Sequence, residues 1–489
     1  VETPIMLGQN FRNYMAIVHG EFGRRVLYTQ EQQITEENIV QELGKVLADF
    51  QFNQSAIHYL DKYYRGDQPA LYRQKKIRAD INNKIVENHA YELVESKTAD
   101  LYGEPIQYVI SSDISDEEKS KQLTTLNRYM KSEDKAALDI ERGRWASISG
   151  TSYYFVGEKN RMPVEFDEAP YYITVEDPRY TAVVYYADDN TPAFGFQLCK
   201  VNEIDTYKCF TNTMYFEIQS NEIIKSEVNG NGLIPIIEYP NNGRRLSDIE
   251  ITITLTDELN KMQSDRMNGI EQFVQAFILF KNAEIDSDTF SKMAVEGALS
   301  IKDCADGRTA DAKMLTSELS QDGTQISKDD VYQNFLIIQG KPGRQENSGG
   351  DTGQAVALRN GYYDEDKRAE LRIPIFQKAE RMMLRVVLNK LRINEQFTLR
   401  ISDIDIRPKR SKLENMMVKA QVLQILHQIG IDDAIAIKTI NLFSDTQDVI
   451  SKSKDRMEEQ FKSQNGLIEE EEKEVIEVDN GNSELRPTE

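Results

Sequence analysis

The stretch NNKIVENHAYELVESKTADLYGEPIQY, Asn82 to Tyr108, changes its period part-way along. Ile85, Ala90, Leu93, Val94 and Leu101 recur at helical intervals, and Gly103 and Pro105 then stop the helix. Ile106, Tyr108 and Ile110 alternate as a strand does. A helix delivered into a strand through Gly-Glu-Pro is a structural joint of a mixed α+β chain. It contains no nucleophile–base pair and no metal-ligand spacing.

Outward from this joint the pattern divides the chain. Residues 1–35 are poorly periodic at their start and read as a loosely attached N-terminal arm. Ile39, Leu43, Val46, Leu47 and Phe50 then share a helix face, and that helix closes at Tyr63-Tyr64-Arg65-Gly66. A helical pair follows over 115–149, with Ser115 and Glu118 as a capping box and Trp145 as a core anchor. From Thr151 to Tyr239 the period is two, in β-branched and aromatic runs separated by turn residues, which predicts an antiparallel β region. Asp188-Asp189-Asn190 and Asn229-Gly230-Asn231-Gly232 are expected hairpin ends.

Ser247 and Glu250 predict a second capping box, opening a long helix to about Phe280. A second helix is expected from a Ser327 cap to Gly340, the two bracketing a small α/β insert over 281–325. Gly340 to Gly353 holds five glycines and one proline. It leads into a helical pattern over 354–391 that Pro374 must kink. A strand over 397–406, helices over 407–462 and an acidic disordered tail over 463–489 complete the expectation.

The formal net charge is −22, and nine carboxylates against two basic residues in Ser463–Glu489 leave −15 for the remainder. Such a chain does not clamp DNA by neutralising phosphate, which needs basic clusters. On charge alone the plain reading is solubility, and the sharper one a DNA-handling surface that must avoid sticking. Cys199, Cys209 and Cys304 form no disulfide framework and no zinc spacing. The longest apolar run, Ala276 to Phe280, is far short of a bilayer span, so no membrane partner is expected, and Glu2, Asn10 and Arg12 break any leader pattern.

Chemistry is equally thin. Gly44-Lys45 and Gly340-Lys341 lack the rest of a phosphate loop, and His19, His58, His89 and His427 stand singly. Asp403-Ile404-Asp405 could hold a cation, and Asp364-Glu365-Asp366-Lys367 faintly suggests a nuclease step, but on a helix it reads as a solvated face. The expectation is no enzyme, no cofactor and no metal, with a nuclease or nucleotide hydrolase as the rival class.

Five ordered motifs resemble the portal proteins of tailed bacteriophages of the SPP1 type. They are Asn82 to Val86 with Lys97, Thr98, Leu101, Gly103, Pro105 and Ile106; the aromatic turn to Gly66; Tyr239-Pro240-Asn241-Asn242 before Leu246 to Ile249; Leu259 to Asp265; and Ser348 to Leu358, with extra residues between Gly and Ala. The resemblance implies a ring, of about twelve copies, at one capsid vertex, passing double-stranded DNA during packaging and ejection. It implies a wing (36–246 and 354–406), stem helices (247–280 and 326–339), a clip (281–325), a tunnel loop (340–353) and a crown (407–462). Implied partners are the terminase large subunit, major capsid and scaffolding proteins and a head-completion adaptor, in the virion and, during assembly, the bacterial host cytoplasm. A head–tail connector ring is the alternative of the same class.

Within that frame Lys341, Arg344, Gln345 and Asn347 are candidates to touch DNA weakly and without sequence preference. Arg407, Lys409, Arg410 and Lys412 form a basic crown patch, for DNA or a neighbouring subunit, and Lys302, Asp303, Asp306 and Arg308 are candidate clip contacts.

Overall fold

The computed structural model describes residues 22–76, 79–111, 117–159, 168–274, 277–281, 311–315, 321–341, 362–408, 416–431 and 435–437. Helix α1 (Ile39–Tyr64) buries Ile39, Leu43, Val46 and Phe50 against a six-stranded sheet and ends at Gly66, whose φ of +93° suits a residue without Cβ. The sheet runs in the order β1-β5-β6-β7-β8-β9, from β1 (Leu27–Thr29) through β5 (Thr181–Tyr186), β6 (Pro192–Val201), β7 (Ile204–Phe210) and β8 (Met214–Gln219) to β9 (Glu222–Val228). Asn202-Glu203 and Ser220-Asn221 take positive φ, the turn geometry that matches the twist of paired strands. Asp188-Asp189-Asn190 is a hairpin end, as the sequence predicts.

Two expectations change here. Residues 22–34 are not loosely attached: β1 pairs in parallel with β5, and Arg24, 5% exposed, forms an ion pair with Glu250. The signal was weak because three residues are too few to show a period. Asn229 to Gly232 is not a hairpin end either. It carries the chain from β9 into β10 (Ile236–Pro240), which belongs to a separate sheet of order β10-β3-β4 with β3 (Thr151–Glu158) and β4 (Tyr171–Glu176).

The signature joint is α2 (His89–Tyr102) followed by β2 (Gln107–Ile110). Asn88 caps α2 by accepting from the Tyr91 N–H, so Asn82 to Glu87 lie outside the helix that Ile85 was expected to join. Strand β2 pairs antiparallel with β13 (Ile404–Arg407), and no ladder runs on from Phe397 as expected. Helices α3 (Glu117–Ser132) and α4 (Lys135–Ser149) precede β3; Ser115 lies outside the described residues. Trp145 is half-buried beneath the Arg179 guanidinium, and the largest buried side chain of α4 is instead Arg142.

Helix α5 (Asp248–Val274) gives way to β11 (Phe277–Lys281), paired with β12 (Asp311–Leu315), so the helix stops short of Phe280. Helix α6 (Gln321–Gln339) packs along α5 and starts before Ser327, whose hydroxyl donates to the Gly323 carbonyl inside the helix instead of capping it. It ends at Gly340, φ +69°. The expected kink at Pro374 is a full break between α7 (Tyr362–Glu370) and α8 (Ile373–Glu395). Proline has no N–H and clashes with the carbonyl four residues back, here Glu370, so the helix must end there and restart. Of the crown expectation, α9 (Met416–Gln428) is described; residues 463–489 lie outside the described residues.

The main core lies where α3 and α8 cover the three-stranded sheet and the β2–β13 pair, around Tyr154, Tyr239, Met383, Val387, Leu391 and Ile404. A second core fills the space between α1 and the six-stranded sheet, and a third joins α1, α2, α4 and α5.

Candidate functional site

The signature residues build a polar interface with α5. Asn83, Ile85 and Glu87 donate their backbone N–H groups to Asn268 Oδ1 (2.7 Å), Ser264 Oγ (3.0 Å) and Asn260 Oδ1 (2.8 Å). Four helical residues rise about 6.0 Å and two extended residues about 6.6 Å, so a short polar side chain at every fourth helix position meets every second backbone N–H. Asn260 and Ser264 are fully buried and Asn268 nearly so. The period therefore lies in α5, where Thr252, Thr256, Asn260, Ser264 and Asn268 repeat at i+4 and are all buried.

Above this ladder the chain gathers five elements at one carboxylate. Asp248, fully buried in the first turn of α5, accepts from Lys97 Nζ (2.9 Å), Arg372 Nη2 (2.6 Å) and Ser147 Oγ (2.8 Å). Ser247 and Glu250 form the expected capping box: Ser247 N–H donates to Glu250 Oε2 at 2.9 Å and Ile249 N–H to Ser247 Oγ at 3.1 Å. Gln339, at the end of α6, donates to Asp248 O (2.8 Å) and Thr252 Oγ1 (2.7 Å) and accepts from Lys97 Nζ (2.6 Å). Burial opposes the charge on Asp248, yet Arg372 and Lys97 outweigh it and hold the carboxyl well below the usual range. Burial, with Arg372 beside it, pushes Lys97 down to about 8. Over this junction opens a cleft of about 210 Å³ lined by Lys97, Glu365, Arg368, Arg372 and the Gly340-Lys341 turn.

A second charged group is sealed in the main core. Glu380 accepts from Tyr239 Oη (2.7 Å), Tyr108 Oη and Lys135 Nζ (3.1 Å), while Asp139 accepts from Lys135 Nζ (2.6 Å) and Tyr154 Oη (2.8 Å). The Arg142 guanidinium lies 4.4 Å from the Tyr239 ring and 4.6 Å from that of Tyr102. Two cations balance two anions, none more than 5% exposed, so the group stitches α4, β2, β3, β10 and α8 together and admits no substrate.

Of the sequence candidates, Lys341 forms an ion pair with Glu365 in the cleft wall, and Arg407 lies 3.5 Å from Asp405 Oδ2 on β13. Arg344, Gln345 and Asn347, the crown residues Lys409, Arg410 and Lys412, and the clip residues Lys302, Asp303, Asp306 and Arg308 lie outside the described residues. Asp403 and Asp405 do not converge: Asp403 accepts from Arg400 N–H (2.9 Å) and Lys119 (3.1 Å), while Asp405 faces Arg407. Among the described residues no group of three or more His, Cys, Asp or Glu is placed to hold a metal, and no helix is long and apolar enough to cross a membrane. His89 stands between Glu92 (2.9 Å) and Glu87 (3.4 Å), which more than offset its burial and raise it to about 8.

Sequence reading did not single out Asp248, Arg372 or Gln339. Asp248 and Lys97 do fall within the quoted motifs, but pairing residues 151 apart needs the tertiary fold.

Residues 44–466 match the model of one protein family, the phage portal proteins of the SPP1 Gp6-like type. The match spans most of the chain, and the chain belongs to that family of portal proteins. No individually curated protein matches it. Among solved structures it is similar to a chain of the virion of a native gene transfer agent particle, at 13% identity and a TM-score of 0.43, covering 79% of this chain and 93% of that one. A chain from the neck of the native particle, computed with C12 symmetry, gives 13% identity, a TM-score of 0.41 and coverages of 72% and 88%.

Proposed function

We propose that about twelve copies of this chain close into a ring at one vertex of a phage capsid and conduct double-stranded DNA inward during packaging and outward during ejection. The observation that carries this reading is the portal-family match over residues 44–466. In this reading the chain is a non-enzymatic conduit. Its acidity supports that: a body of strongly negative charge repels phosphate on average, so duplex can slide without being clamped.

Helices α5 and α6 form the stem, and the β11–β12 pair opens the clip over 281–325, which docks the terminase large subunit and later a head-completion adaptor. Residues 36–246 and 354–406 form the wing, facing capsid and scaffolding proteins, and 407–462 the crown. The segment 340–353 is the tunnel loop, with Lys341, Arg344, Gln345 and Asn347 toward DNA. Because Lys341 is already paired with Glu365, Arg344 is the residue to test. Electron microscopy of the purified protein is expected to show rings with a central hole wide enough for duplex; a compact monomer under every assembly condition would end this reading. In assembled particles, Arg344→Glu is expected to lower packaged-DNA yield with ring formation intact, and unchanged yield would remove the loop from the DNA path.

A further inference from the structure

Helix α5 is not continuous at its start. Thr252 has φ −126° and ψ 16°, outside helical geometry, one turn below the anchored Asp248. An unbroken helix would offer the Asp248 carbonyl to the Thr252 N–H. Here Gln339 Nε2 donates to that carbonyl and to Thr252 Oγ1 as well. A side chain inserted into a helix ladder is an identifiable cause of a kink. Gln339 is also the last residue of α6, immediately before Gly340 at φ +69°. The kink of α5 and the end of α6 therefore fall at the same level, joined by one buried amide.

The ion pairs on either side of that level differ in burial: above it the carboxylates are fully buried, below it they are partly exposed. Above it, the first turn of α5 is fixed to the rest of the chain by the Lys97–Asp248, Arg372–Asp248 and Arg24–Glu250 ion pairs. Just below it is a small apolar cluster of Leu93, Leu255, Phe335 and Leu336. Farther down, α5 meets residues 83–87 through the Asn260, Ser264 and Asn268 ladder, flanked by two partly exposed ion pairs, Arg73–Asp265 on α5 and Lys328–Glu87 on α6. Water can replace such bonds at a net cost of about 1 kcal/mol each, whereas parting an interdigitated apolar seam costs several times more.

We propose that α5 and α6 swing together about Thr252 and Gly340, with Gln339 as the positioning residue that pins the pivot. From Thr252 to Val274 the arm is about 33 Å long, so a tilt of about 10° displaces its end by about 6 Å. The inference rests on the ring reading for its consequence: copies tilting in concert alter the bore while the ion-paired junctions stay fixed.

Hydrogen–deuterium exchange on the full chain tests it. Opening of the ladder as a unit makes the amides of Asn83, Ile85 and Glu87 exchange together, several-fold faster in Gln339→Ala. Gln339→Met, which keeps the volume but not the donor, should behave as Gln339→Ala does. A disulfide from the double variant Ile85→Cys with Ser264→Cys should slow that exchange at least tenfold in the same background. If Gln339→Ala quickens only residues 248–252 and leaves 83–87 unchanged, Gln339 is a local cap and the pivot is wrong. Native mass measured on the same samples separates this from the ring reading: a chain that stays monomeric overturns the ring, not the pivot.

Discussion

At the scale of single residues the chain places charges where their loss is costly. Asp248 serves two cations and a hydroxyl at one fully buried point, so Asp248→Asn leaves Lys97 and Arg372 facing each other uncompensated. The expected loss is about 3–5 kcal/mol, read from urea unfolding. Because its folded pKa is depressed, the Asp248 contribution is present above the unfolded carboxylate range and disappears as pH falls below it. His89 runs the other way. Raised to about 8, it adds stability that is complete below its unfolded value of about 6.5 and is lost as pH rises through 8. The difference in unfolding free energy between the wild type and His89→Gln, followed from pH 6 to 9, should carry that decline, on the order of 2 kcal/mol. Gly143 faces Tyr102 so closely that a Cβ would lie 2.3 Å from Cδ2 of that ring. Gly143→Ala should cost about 1–3 kcal/mol by overpacking, seen as a lower Tm with an unchanged far-ultraviolet spectrum.

At the scale of elements, the local devices were legible and the long-range ones were not. The Ser247–Glu250 box, the Gly66 and Gly340 stops and the interruption before Pro374 all follow from residues within one turn, and the sequence predicts each. Asn82 to Glu87 misled because an extended segment whose backbone is satisfied by another helix has no period of its own. Its complement was visible in principle: five short polar residues at every fourth position of α5, on a face where apolar residues are the norm for a buried helix. Replacing Asn260 with Ala should cost about 1–3 kcal/mol, more than an exposed Asn in the same helix, because the part-buried Glu87 N–H and the buried Gln68 side chain each lose a partner. A stability series over Asn260, Ser264 and Asn268 checks it.

For the molecule as a whole, the α+β organisation and the family were readable from ordered motifs, while the candidate contact residues mostly were not placed. Basic residues in glycine-rich or charged stretches carry no periodic signal, so the sequence could name Arg344 or Lys409 but not their neighbours. The described residues that do join distant parts are buried ion pairs and tyrosines, such as Glu380 with Tyr108 and Tyr239. Those partners are separated by 272 and 141 residues, and no local pattern announces them.

The seating of β1 has a consequence for synthesis. Arg24 meets Glu250, 226 residues further on, and Leu27 to Thr29 pair with Val184 to Tyr186. At a translation rate of about 5–20 residues per second, this segment waits about 10–45 s on the ribosome before its last partner emerges. A three-residue strand offers little edge for a stranger to extend in that interval, and its brevity protects the nascent chain from mispairing.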